Sequence, residues 1–184
     1  FRCRTTQTKK SMSEIRLSII VPVYNVEPYV ERCLRSLLER QDLSANEYEV
    51  IVTNDGSPDN SRAVVERLQA EFFNLILINQ ENQGVSMARN NAIDIAQGTY
   101  IMPIDPDDYI YPNSLKVILE KAEEYNPDVA MLSFDIFNEN GKKVWESRFD
   151  DLLENMFEGP ELYFKTRAPI SRDPDRTWAI LFHR

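Results

Sequence analysis

Residues 100–108 (YIMPIDPDD) set Asp105, Asp107 and Asp108 directly behind an apolar run. Three carboxylates this close repel one another by several kcal/mol at low effective dielectric unless a cation or a set of donors neutralises them. At the end of a buried strand they offer only hard oxygens, which suits Mg²⁺ or Mn²⁺. The same residues also read as an Asp-Pro turn that helps to cap a helix after Pro112, so the cluster alone leaves both readings open. A second polar strand end, Asn54-Asp55-Gly56-Ser57-Pro58, is a strong turn signal that carries an acid. The single histidine, His183, falls at a strand end and reads more readily as a surface or packing residue than as a catalyst.

Those residues need a scaffold, and the chain of 184 residues is long enough to bury one substantial core. A hydrophobic content of 42% and a charged content of 28% are those of an ordinary soluble globular protein. The net charge of −9 argues against general nucleic-acid binding and against adhesion to anionic lipid by charge alone. No apolar run approaches the roughly 20 residues needed to cross a bilayer. Cys3 and Cys33 suggest neither a disulfide framework nor a zinc site, which fits a reducing cytoplasm. Cys33 falls among Val30, Leu34, Leu37 and Leu38 at helical spacing and reads as a small core residue. Residues 1–13 are basic and polar without an apolar stretch, and are read as an extension outside the fold.

Residues 17–23 (LSIIVPV) form a run of the kind buried on both sheet faces. Pro28 opens a helix with a 3.6-residue apolar period, and residues 48–53 (YEVIVT) predict a second strand. The pattern continues with a helix over 61–73, a strand over 75–78 and a helix over 86–96 with Gly98 as its stop. A strand over 100–104, a helix over 112–125 and a strand over 128–133 follow. Strands alternating with helices imply right-handed βαβ units and a mainly parallel sheet. After Phe134 the pattern changes: Asn140-Gly141 predicts a hairpin, then a short helix near 161–164 and a Pro- and Arg-rich loop over 166–176. The late aromatics Trp145, Phe149, Phe157, Tyr163 and Phe164 are read as core, with a membrane-facing surface as the alternative. In such a sheet ligands bind beyond the carboxyl ends of the strands, where residues 22–25, 54–57, 79–82 and 105–108 supply polar and acidic groups.

Segments IIVPVYN at 19–25, NDGSPDNS at 54–61, NQGVSMARNNAI at 82–93 and YIMPIDPDDY at 100–109 occur in the order and approximate spacing of the family-2 glycosyltransferases. The chain resembles that family closely over 15–125 and loosely beyond. The resemblance implies the GT-A fold, a Rossmann-like mainly parallel sheet flanked by helices with a C-terminal hairpin or mixed region. It implies sugar transfer from a nucleotide-sugar donor, UDP-linked by the match of Asp55, to an acceptor hydroxyl with inversion. Residues 14–125 would form the nucleotide-sugar-binding part and 126–184 the start of the acceptor-binding part. By the same match Pro22 and Tyr24 wall the nucleobase, Asp55 accepts from uracil N3–H, and Arg89 lies near the diphosphate. Asp105 and Asp107 match the outer acids of the D-x-D motif. Asp107 would coordinate Mn²⁺ or Mg²⁺, Asp105 would act near the ribose and through water, and Asp108 would stand behind them.

Two positions depart from the usual motifs: Asn54 where an acid often precedes Asp55, and Pro106, which has no N–H, inside the acidic motif. The family's general base follows a strand resembling residues 178–184 (WAILFHR), which puts the expected base beyond residue 184 and leaves Asp173 and Asp175 unassigned. Trp178 could line an acceptor pocket or pack in the core, and Arg167, Arg172 and Arg176 read as solvated beside Asp173 and Asp175, with acceptor or phosphate binding as the alternative. The partners implied are a nucleotide-sugar donor and a saccharide or lipid-linked acceptor in cell-surface polysaccharide synthesis, with the enzyme in the cytoplasm or at the inner membrane face. The alternative is a non-catalytic nucleotide-sugar-binding module that works with a missing segment or partner. A nucleotidyltransferase is disfavoured because residues 23–28 (VYNVEP) lack a basic, Gly-rich phosphate loop.

Overall fold

A computed structural model describes residues 14–132, 134–138, 140–146 and 180–184. The chain runs β1 (Leu17–Val23), α1 (Glu27–Leu38), β2 (Tyr48–Asp55), α2 (Ser61–Glu71), β3 (Leu75–Gln80) and α3 (Val85–Ile95). Then follow β4 (Tyr100–Pro103), α4 (Ser114–Tyr125), β5 (Val129–Met131), β6 (Asp135–Phe137), β7 (Lys143–Glu146) and β8 (Ile180–His183). Six strands form one sheet in the order β3-β2-β1-β4-β8-β5, and β6 pairs with β7. Strand β1 is parallel to both β2 and β4, β2 is parallel to β3, and β8 is antiparallel to β4 and β5. The chain thus leaves β1 toward β2 on one side and returns to β4 on the other, which makes a topological switch point at the carboxyl end of β1. No helix among the described residues is long and apolar enough to cross a membrane.

Strand alternation divides the core between the two sheet faces. Leu17, Ile19, Val21 and Val23 join Val50, Val52, Tyr100 and Met102 under α1, α2 and α4, which contribute Leu34, Leu37, Val65, Leu68, Leu115 and Leu119. On the opposite face Ile20, Ile51 and Ile101 meet Ala92 of α3 and Ala96 just after it, whose small side chains bring that helix close to the sheet. Cys33 is fully buried, as its helical spacing predicts.

Strands β2 and β3 each run two residues past the predicted ends, so Asn54 and Asp55 belong to β2 instead of its turn. The register pairs Asn54 with Asn79 and Asp55 with Gln80, and these side chains bond across the ladder. Helix α4 begins at Ser114, after Asn113 in the left-handed region, two residues later than Pro112 implied. Gly98 is not the helix stop: α3 ends at Ile95 with Ala96 extended. Glycine is needed at 98 because a Cβ would lie 2.5 Å from the Ser18 backbone nitrogen. The hairpin at 140–141 forms with Gly141 at φ 72°. Trp145 on β7 is 46% exposed and leans on Phe134 with ring centroids 5.4 Å apart, so it is not a core residue. The residues 1–13, the helix near 161–164 and the loop over 166–176 lie outside the described residues.

Candidate functional site

At the switch point lies an open cleft of about 390 Å³. Pro22 and Tyr24 come to it from β1, Asp55 from β2, Asn82 and Gly84 from the β3–α3 turn, and Asp105 and Pro106 from the loop after β4. Residues from four separate strand ends therefore meet in one place. Tyr24 is 49% exposed, so its ring face is available for stacking, whereas Pro22 is buried in the wall.

The two loops that carry Tyr24 and Asp55 cap each other's helices. The backbone N–H groups of Asn25, Val26 and Glu27 donate to Ser57 Oγ (2.7 Å), Ser61 Oγ (3.2 Å) and Asp59 Oδ2 (2.9 Å). In return Asn60 donates its N–H to Glu27 Oε2 at 3.1 Å, and the Ser61 N–H donates to Asp59 Oδ1 at 3.1 Å. The N–H groups of Val26, Glu27, Asn60 and Ser61 are among the terminal donors that a helix cannot satisfy internally. The N-terminus of α1 is thereby filled by the chain's own oxygens, and an anion in the cleft must be met by other groups. Burial works against the charged form of Asp59, yet donors from Ser57, Ser61 and the Glu27 N–H outweigh it and hold the carboxyl well below the usual carboxylate range.

Asp55 is 3% exposed. Its Oδ1 accepts from Gln80 Nε2 and from the Gln83 N–H, both at 2.8 Å, and its Oδ2 accepts from the Gly84 N–H at 2.8 Å. The acid therefore fixes the β3–α3 turn besides facing the cleft. Gly56, at φ +65°, packs so close that a Cβ would lie 2.9 Å from the Asn82 nitrogen.

The acidic loop is a turn closed by the Asp108 N–H on the Asp105 carbonyl at 3.0 Å. Pro106 occupies the position where its fixed φ favours such a turn and where no N–H is needed. The Asp105 carboxylate pairs with Arg89 Nη2 of α3 at 2.6 Å, and the Arg89 Nε is buried without a partner among the described residues. Asp107 is exposed; Arg32 of α1 donates to its carbonyl at 2.8 Å and lies 4.8 Å from the centre of the Tyr109 ring. Cys33 Sγ lies 3.7 Å from the Asp105 carbonyl. Burial, and then the charges of Asp108 and Asp107, push its thiol up, so it stays protonated. On the other side the Tyr111 hydroxyl donates to Asp135 Oδ2 of β6 at 2.6 Å, and Tyr109 faces Phe137 with centroids 6.2 Å apart.

Of the three acids, Asp105 is compensated by its ion pair with Arg89, whereas Arg32 reaches the Asp107 backbone carbonyl and not its carboxylate. Among the described residues no three Asp, Glu, His or Cys side chains converge into a ready-made metal cage. The donor set fits a hard cation held by one or two carboxylates with phosphate oxygens and water completing its shell, which is how Mg²⁺ is commonly bound.

Of the residues singled out by sequence, Pro22, Tyr24, Asp55 and Asp105 line the cleft, and Arg89 joins it through Asp105 while also bordering a second hollow of about 280 Å³ beside Ile20, Ile101 and Phe182. Asp107 and Asp108 are not among the residues that line the cleft; they lie in the turn that Asp105 opens. His183 packs edge-on against Tyr100 with centroids 5.2 Å apart, as a packing residue does. Asp173, Asp175, Trp178 and the three arginines of the 166–176 loop lie outside the described residues. Sequence reasoning missed Arg32, Asp59 and Gln80. Their roles depend on contacts with residues between 25 and 75 positions away; Asp59 and Gln80 lie in segments already read as polar strand ends or motifs, but nothing local gives them these partners.

The family model described as "Glycosyl transferase family 2" matches residues 18–182. "Glycosyltransferase GlyA" of Streptococcus pneumoniae is 32% identical over 167 residues, which covers 85% of this chain and 23% of that protein. The "Poly(ribitol-phosphate) beta-glucosyltransferase" of Bacillus spizizenii is 31% identical over 162 residues, 82% of this chain and 25% of that protein. The crystal structure of S. aureus TarS 1–349 superposes with a TM-score of 0.64 at 33% identity, covering 74% of this chain and 40% of that one. TarS has also been solved with UDP and with UDP-GlcNAc. The chain spans less than half the length of each of these relatives.

Proposed function

The chain belongs to glycosyl transferase family 2, and from that premise we propose that its cleft binds the nucleoside diphosphate of a UDP-sugar whose sugar is transferred to a saccharide acceptor. The observation that carries the reading is the convergence of Tyr24, Asp55 and Asp105 from three strand ends on one cleft at the switch point. Tyr24 offers an aromatic face and Pro22 a rigid wall for the base, and Asp55 offers an acceptor for the uracil imide N–H. The TarS complexes with UDP and UDP-GlcNAc support that choice of nucleotide.

Because the α1 N-terminus is occupied by Ser57, Ser61 and Asp59, the diphosphate falls to Arg89 and to a cation at the acidic turn. Asp107 would hold Mn²⁺ or Mg²⁺ directly, with Asp105 acting through water and Asp108 behind them. That cation would stabilise the negative charge gathering on the departing nucleoside diphosphate. Arg89 keeps the Asp105 carboxylate oriented at 2.6 Å and contributes the positive charge nearest to it. Residues 14–125 serve as the donor-binding part and 126–184 begin the acceptor side, where the poly(ribitol-phosphate) relative supports a polymeric, cell-surface acceptor. Transfer proceeds with inversion at the anomeric carbon.

Calorimetric titration of UDP in Mn²⁺ and in chelator, on wild type and Asp107→Ala, tests this. The expected result is UDP binding in Mn²⁺ that chelator and the substitution each weaken by at least about tenfold, with the mutant folded as stably as wild type because an uncompensated acid has been removed. UDP binding that is equal in chelator and in Asp107→Ala would refute the assignment of Asp107.

A further inference from the structure

The most committed side chain in the cleft is Asp55, and its hydrogen bonds can be counted. An ionised carboxylate has about four acceptor positions. In Asp55 both positions of Oδ1 are taken, by Gln80 Nε2 and the Gln83 N–H, and Oδ2 takes the Gly84 N–H, all at 2.8 Å. One acceptor position therefore remains, on Oδ2. Two of these three donors are backbone N–H groups of the turn, and only Gln80 is a side chain that can be varied.

Gln80 is itself held in one orientation. Its Oε1 accepts from Asn91 Nδ2 of α3 at 2.6 Å, which directs the amide nitrogen to Asp55. The pairing of Asp55 with Gln80 in the β2–β3 register keeps this contact within a rigid ladder.

The nucleobases differ in what they ask of a carboxylate. Uracil presents one N–H between two carbonyls. Guanine presents two adjacent donors, N1–H and the exocyclic amine, which a carboxylate meets with both oxygens at once. With Oδ1 saturated, the second guanine donor would find no acceptor on the buried Asp55 carboxylate, a loss large enough to discriminate between ligands. We propose that Gln80, set by Asn91, is the specificity-determining residue that limits Asp55 to a single-donor base edge and so selects uracil over guanine nucleotides. The inference rests on the reading of the cleft as a nucleotide site and adds to it the residue that chooses the base.

The test is the ratio of UDP to GDP affinity, by calorimetry at fixed Mn²⁺, on wild type, Gln80→Leu and Asn91→Ala, with cooperative thermal unfolding as the check on folding. Wild type should favour UDP by at least about tenfold. Gln80→Leu, which frees a position on Oδ1, should reduce the ratio by roughly tenfold, chiefly through tighter GDP binding. Asn91→Ala, which cuts only the tether on the amide, should move it the same way by less, and decides the matter if Gln80→Leu does not fold. An unchanged ratio in the folded variants, even with both affinities lowered, would make Gln80 a structural residue and overturn the proposal while leaving the nucleotide site standing. Failure of wild type to bind either nucleotide would instead remove the site itself.

Discussion

Asp55 joins two functions that a sequence reading keeps apart. As a residue before Gly56 it looks like a turn-former, and as a motif acid it looks like a base reader. The structure gives it three hydrogen bonds from residues 80, 83 and 84 and leaves it 3% exposed, so the turn it orders is the one across the cleft. Replacing the carboxylate with an amide puts donors opposite donors. Asp55→Asn is expected to cost about 1–3 kcal/mol of stability, read as a lower urea midpoint at unchanged m-value, together with loss of UDP binding. Pro106 is likewise clarified: a proline that looked like a lost contact supplies the corner of a turn closed through Asp105 and Asp108.

At the scale of elements, the site depends on loops that stiffen one another. Neither N-cap side chain of α1 or α2 caps its helix; Ser57, Asp59 and Ser61 cap the start of α1 from across, Glu27 caps α2 from across, and Asp59 also caps α2 from its own loop. Ion pairs join the same helices farther along, from Arg35 to Glu71 at 3.3 Å and from Arg67 to Glu31 at 2.6 Å, but exposed pairs of this kind contribute little. The half-buried Asp59, which accepts from Glu27, Ser57 and Ser61, matters more. Asp59→Ala is expected to cost about 1–2 kcal/mol near neutral pH. Because the folded-state carboxyl titrates below its unfolded value, this contribution is full above the ordinary carboxylate range and is lost as pH falls toward the folded value. The stability gap between wild type and mutant should therefore narrow below about pH 4, measured by urea unfolding across the acid range. A gap that stays constant with pH would mean that the Asp59 carboxylate is not the group that holds the loops.

The whole molecule places these loops at one rim because β1 has parallel neighbours on both sides. Arg32 of α1 holds the acidic turn at Asp107, Ser36 of α1 and Gln41 just beyond it hold the following segment at Ile110 and Tyr111, and the β6–β7 hairpin braces its far side through Asp135 and Phe137. Ligand binding at such a seam couples to global stability. UDP at about 100 times its dissociation constant adds ~2.7 kcal/mol, which for a chain of this size raises the thermal midpoint by roughly 5–10 °C. Differential scanning fluorimetry should show that rise with UDP and Mn²⁺ together and its loss in chelator. An equal rise with UDP in chelator would locate the binding away from the acidic turn.

Local pattern alone was enough for the strands over 17–23 and 48–53, the helical face of Val30, Cys33, Leu34 and Leu37, the hairpin at 140–141 and the polar rim at the strand ends. Each of these is written in hydrophobic period or turn chemistry over a few adjacent residues. The ends of β2 and β3 were misjudged because Asn54, Asp55, Asn79 and Gln80 are polar, and only ladder pairing makes them strand. The reason for Gly98 lay in Ser18, far away in the chain. The partners of Asp55, the grip of Arg32, the ion pair of Arg89 with Asp105 and the node at Asp59 are contacts between distant segments, fixed by strand order and register. Residue types determined which chemistry the chain could perform, and tertiary structure decided which groups stand within hydrogen-bond reach, since that distance is a property of the packed sheet and not of spacing along the chain.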